Sequence, residues 1–134
     1  MPTLKSSYLG NLRTQMTHLQ SGTEVITDAP VDNNGKGEAF SPTDLVAAAL
    51  GSCMVTIMGI VAEREGIAMN GLTWEVTKVM QAQPRKISEI VIDFHWEENG
   101  VNEKIIQKLK SAAKTCPVAL SLDPEIKQTI NFNF

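Results

Sequence analysis

The chain has 134 residues, 43% of them hydrophobic and 20% charged, with a formal net charge of −3 and a pI near 5.3. That length suits one domain over residues 1–134, because a second core would need more apolar sequence than remains once the first is built. The acidic balance argues against an electrostatic grip on nucleic acid or an anionic membrane, since either needs clustered Lys and Arg.

From Leu4 to about Thr27, Tyr, Thr, Val and Ile are mixed with breaks at Gly10 and Ser21-Gly22, which predicts two or three short antiparallel strands. Asp28 to Phe40 reads as a loop holding Pro30, Asn33, Asn34, Gly35 and Gly37, long enough to have a task beyond turning the chain. Ser41-Pro42-Thr43-Asp44 then opens a helix: Ser41 caps it, Pro42 fits the first helical position, and Asp44 can complete a capping box. No residue from Leu45 to Ala62 is charged, and Gly66 is a natural stop. Gly51, Ser52, Thr56 and Gly59 dilute that run and its flanks lack cationic and aromatic anchors, so it reads as a buried helix rather than a membrane span. Ala47, Gly51, Val55 and Gly59 recur every four residues and leave a mostly small-sided stripe for close approach by a helix or sheet.

Leu72, Trp74 and Val76 alternate in one predicted strand and Ile90, Ile92, Phe94 and Trp96 in another, joined through Gln83-Pro84-Arg85 as a hairpin. Asn102 begins a second helix with Ile105, Ile106, Leu109, Ala112 and Ala113 at helical spacing, and Cys116 follows on the same face. Pro117 interrupts it and can begin a short helix through Leu122, before Ile126, Ile130, Phe132 and Phe134 alternate as a closing strand. This order defines an α+β fold.

Met1-Pro2-Thr3-Leu4-Lys5 shows no basic region leading into an apolar run, so a cytoplasmic protein is expected. In that reducing compartment two cysteines are more often buried thiols or redox groups than a permanent staple. With only His18 and His95 as imidazoles, and no metal-ligand spacing, metal binding is not expected. By residue type Cys53, inside the apolar helix, is an inert small hydrophobe. Cys116 directly precedes Pro117, and helix N-terminal N–H groups there favour a thiolate. The bland readings for Trp74, Phe94, Trp96, Met54, Met58 and Met69 are core, and for the two histidines surface or half-buried strand positions.

The run Ser41-Pro42-Thr43-Asp44-Leu45-Val46-Ala47-Ala48-Ala49-Leu50-Gly51-Ser52-Cys53, followed later by Cys116-Pro117-Val118, resembles the OsmC/Ohr family of thiol-dependent hydroperoxide reductases. The resemblance extends over almost the whole chain. It implies an OsmC-like fold: antiparallel sheets around a long central cysteine-bearing helix, in an intertwined homodimer. It further implies that Cys53 attacks the peroxide, that Cys116 closes a disulfide on it, and that an external dithiol restores both. The family uses an arginine held by an acidic residue. Of Arg13, Arg64 and Arg85, Arg13 lies nearest the family's position, and a solvated strand charge is its alternative reading. Asp44 and Glu38 are the candidate acids, Asp44 having a sufficient structural use as a cap. The characterised peroxidase branches carry Glu immediately after the helix proline, where this chain has Thr43. A non-catalytic dimeric redox sensor or hydrophobic-ligand module is the first rival. An acyl-transfer enzyme is the second, for which no His-Asp partner is evident.

Overall fold

The computed structural model describes residues 1–97 and 99–134. They form two compact units, Met1–Val46 and Ala47–Phe134, the division falling inside the first long helix.

The first unit is a three-stranded antiparallel meander of β1 (Leu4–Gly10), β2 (Arg13–His18) and β3 (Glu24–Asp28), in that spatial order. The β1–β2 turn places Asn11 and Leu12 at φ of 54° and 62°, the paired left-handed geometry that matches the twist of a hairpin but that a Leu adopts only under constraint. After β3 the chain folds back through a short 3₁₀ turn at Val31–Asn33. Gly35 lies so close to this turn that a Cβ there would sit 1.7 Å from the Ala29 carbonyl oxygen. The Gly35 N–H donates to the Pro30 carbonyl and the Gly37 N–H to that of Ala29, so the loop is a closed structure rather than a slack connection. Among the described residues of this unit, the fully buried ones are Thr27, Asp28 and Ser41, all polar.

Helix α1 (Pro42–Arg64) starts as its sequence predicts. The Asp44 N–H donates to Ser41 Oγ at 3.0 Å and the Ser41 N–H to Asp44 Oδ2 at 3.0 Å, the reciprocal capping box. It ends in a Schellman motif: Gly66, at φ +68°, donates to the Glu63 carbonyl, and Ile67 reaches back to Ala62. By length and composition alone α1 is apolar enough to cross a membrane, with about a third of its apolar window buried.

In the second unit Ala47, Leu50, Gly51, Met54, Met58 and Ala62 of α1 form the buried stripe. It lies against a sheet of β4 (Thr73–Gln81), β5 (Lys86–His95) and β6 (Lys127–Asn133), with β5 in the middle. Gly51 marks the closest approach: a Cβ there would stand 2.8 Å from Trp74 Nε1 and 3.3 Å from Val76 Cγ2. At Gly51 the predicted small-sided stripe thus serves contact with a sheet, while Gly59 faces Met69. Helix α2 (Glu103–Ala113), capped by the Asn102 side chain, sends Ile106, Leu109 and Ala113 into the same core. Lys108 Nζ meets Glu65 Oε1 at 2.7 Å, tying α2 to the end of α1. Ile90, Ile92, Phe94 and Trp96 are buried to 2% exposure or less, each worth about 1.5–3 kcal/mol for a side chain of this kind relative to exposure. Phe94 and Trp96 are therefore core, and the Trp96 indole satisfies its N–H on the Asn70 carbonyl at 2.9 Å.

One pairing departs from the all-antiparallel expectation: β6 runs parallel to β5, from Glu89↔Lys127 to His95↔Asn133. The intervening α2 and the short α3 (Pro117–Ser121) are the crossover that returns the chain to the end at which β5 began. Alternation of apolar residues reveals a strand but not its direction, so the sequence pattern is silent on this point.

Candidate active site

Two groups of reactive or charged side chains stand out, one in each unit. In the second unit Cys53 lies on α1, half-buried, between the buried Leu50 and Met54 and next to the exposed Ser52. Cys116 is the N-cap of α3 and is fully buried. Both are free thiols, and the fold packs them against one core, with Cys53 near enough to Cys116 to raise its thiol. Far apart in sequence, they meet because α1 and the α2–α3 crossover share one core.

The Cys116 sulfur accepts the Ala119 N–H at 3.2 Å. This is the helix N-terminal interaction expected from Pro117, yet it does not decide the protonation state. Burial pushes the Cys116 thiol up, the backbone N–H of Ala119 acts against that, and neighbouring Cys53 adds to the rise, so the group is held as a neutral thiol at pH 7. The expectation of a thiolate-favouring Cys116 is thus corrected in sign, because desolvation outweighs one turn of helix.

In the first unit Arg13 opens β2 directly across from Asp28, the last residue of β3. Its Nε and Nη2 donate to the two Asp28 carboxylate oxygens at 2.7 and 2.8 Å, a bidentate pair of the strongest protein type. Asp28 is 1% exposed and also accepts the Glu38 backbone N–H at 3.1 Å. The Glu38 carboxylate stands 3.6 Å from Arg13 Nη2. The Arg13 guanidinium, with this backbone N–H, holds the Asp28 carboxyl below the usual carboxylate range against the opposing effect of burial. Arg13 is therefore fixed rather than solvated. Leu12, strained at positive φ, is pinned as well, its carbonyl accepting the Ala29 N–H.

Asp28 is the residue that sequence reasoning missed. It falls at the junction of strand and loop with no motif around it, and only cross-strand register reveals it as the partner of Arg13. Glu38, considered on sequence alone, contributes mainly through its backbone. Asp44 closes the capping box described above. His18 Nδ1 lies 2.6 Å from Ser21 Oγ in the β2–β3 turn, and His95 Nε2 is 3.6 Å from Glu75 on exposed sheet positions.

A half-buried thiol on a long apolar helix and a buried one at a crossover turn, with a clamped arginine in the other unit, define a two-cysteine α+β protein. The family model described as OsmC-like protein matches residues 35–131, and the chain belongs to that family. The structure is similar to that of a Psychrobacter arcticus 273-4 protein carrying the provisional name osmotic stress induced and detoxification response protein. The two are 51% identical over 99% of this chain and 96% of the other, with a TM-score of 0.94. It also resembles an organic hydroperoxide resistance protein OsmC of Legionella pneumophila, at 17% identity, 100% and 98% coverage and a TM-score of 0.76. An OsmC-like protein of Mycoplasma pneumoniae is similar at 17% identity, 97% and 94% coverage and a TM-score of 0.77. No curated protein matches the chain. The family includes organic hydroperoxide resistance proteins, and its members are commonly dimeric.

Proposed function

We propose that the protein is a thiol-dependent peroxidase that reduces organic hydroperoxides. The observation that carries this reading is the packing of two free thiols, the half-buried Cys53 and the fully buried Cys116, against one core. Cys53, as thiolate, attacks the peroxide: an S–O bond forms, the O–O bond breaks, and the departing alkoxide takes a proton to leave as the alcohol. The Cys116 thiol then displaces hydroxide from the Cys53 sulfenic acid, its proton completing a water, and a Cys53–Cys116 disulfide remains. An external dithiol returns two electrons and two protons by exchange. Arg13, clamped by Asp28, is assigned on the family's pattern as the cation that favours the Cys53 thiolate and the developing alkoxide. Asp44 contributes by fixing the start of the helix that carries Cys53.

A cytoplasmic homodimer is part of the proposal. Among the described residues, eleven of the fourteen exposed large hydrophobic ones, including Tyr8, Val31 and Phe40, lie in the first unit, which has no fully buried apolar side chain of its own. A second copy would cover them.

Intact-mass analysis after one equivalent of cumene hydroperoxide, without reductant, tests the reading. Wild type should lose two hydrogens, and Cys116→Ser should instead gain one oxygen at Cys53. An unmodified wild-type Cys53 would favour the redox-sensing or ligand-binding alternative, to which Thr43 in the place of the peroxidase branches' Glu also points.

A further inference from the structure

Helix α3 has five residues, too few to persist without support. Its conformation nevertheless sets the geometry at Cys116, because the N–H on the sulfur comes from Ala119, one turn further on. The opposite end of the Ala119 residue is also held: Gln128 Nε2, reaching from β6, donates to the Ala119 carbonyl at 3.0 Å in a part-buried contact. Gln128 pairs with Ile90 in the centre of the sheet, and Ile90 is fully buried. A continuous path of contacts thus runs from the rigid sheet through the Gln128 amide and Ala119 to the sulfur of Cys116.

We propose that Gln128 is a positioning residue for Cys116: its amide, by holding the Ala119 carbonyl, keeps α3 in the turn from which Cys116 closes on Cys53. The proposal deepens the peroxidase reading and rests on the pairing of the two cysteines. Gln128 touches neither sulfur. Its effect falls on the disulfide-forming step and leaves the attack of Cys53 on peroxide unchanged.

The test compares wild type, Gln128→Leu and Gln128→Glu in single turnover without reductant. Sulfenic acid is captured with a dimedone probe, and disulfide is followed by intact mass. Loss of one net hydrogen bond predicts closure slowed roughly five-fold in Gln128→Leu, with the peroxide step at the wild-type rate. Gln128→Glu gives a signature that altered packing would not. Below the titration of the new carboxyl its O–H can donate to the Ala119 carbonyl and closure recovers relative to wild type; above it, carboxylate and carbonyl repel and closure slows. The same series is run with diamide, whose N=N bond takes the two electrons and two protons of the thiol pair. A wild type inert to peroxide but closing with diamide would sink the peroxidase reading while still testing Gln128. Closure at the wild-type rate in both variants, a Glu variant with a pH-independent ratio to wild type, or an equal slowing of both steps would overturn the proposal.

Discussion

The two units are stabilised by opposite means. In Ala47–Phe134 every fully buried side chain among the described residues is apolar or a thiol, from Leu50 and Met54 through Phe94 to Cys116. In Met1–Val46 the buried side chains are Thr27, Asp28 and Ser41, and what holds them is hydrogen bonding: Arg13 on Asp28, Thr14 on Thr27, Asp44 on Ser41. In the apolar unit desolvation raises the Cys116 thiol. In the polar unit the Arg13 guanidinium, hydrogen-bonded to Asp28, lowers its carboxyl. On the peroxidase reading both kinds of surroundings have a use, a dry site for the second thiol and a bound counter-ion for a stationary cation.

Breaking the clamp should have the largest effect. Arg13→Ala is expected to reduce kcat/KM for an organic hydroperoxide by roughly 10²–10³-fold, the scale for loss of one preorganised charge-stabilising group. Asp28→Asn should also reduce activity while speeding amide exchange in β2 and β3, with β5 exchanging as in wild type. Equal acceleration in both units would contradict their separate stabilisation.

Next in size is Gly51→Ala, which drives a methyl against Trp74 Nε1 and should cost about 1–3 kcal/mol by overpacking, measured by denaturant unfolding. Its mark should be a changed Trp74 environment in near-ultraviolet circular dichroism with the Arg13–Asp28 pair undisturbed.

The third prediction concerns acid. The folded value of Asp28 lies below its unfolded one, so its contribution is fully present above the unfolded carboxylate range, about pH 4, and is lost as pH falls through the lower, folded value. Asp28→Asn should flatten that part of the acid-unfolding curve. The smallest effect should come from Glu38→Gln. Its carboxylate is 66% exposed and 3.6 Å from Arg13, while the backbone N–H that serves Asp28 survives the substitution. Its Tm should match that of wild type.

What the sequence revealed follows the same line. Local signals were legible: the cap at Ser41–Asp44, the stop at Gly66, the N-cap at Asn102 and the break at Pro117 each fix an element through neighbours only a few residues away. Both cysteines were legible through the motifs around them. Non-local facts were not. Asp28 as partner of Arg13 depends on the β2–β3 register, the direction of β6 depends on a crossover, and the neutral state of Cys116 depends on which distant side chains bury it. In each case the deciding contact lies across the fold from the residue concerned.

The central claim is that the two thiols act as a catalytic pair. Reduced protein is mixed with an organic hydroperoxide and a lipoylated dithiol, and peroxide loss is followed for wild type, Cys53→Ser and Cys116→Ser. Steady turnover by wild type, abolished in Cys53→Ser and stalled after one oxidation in Cys116→Ser, is the predicted result. A wild type that consumes no peroxide with any dithiol, its Cys53 still a thiol under excess oxidant, would contradict it.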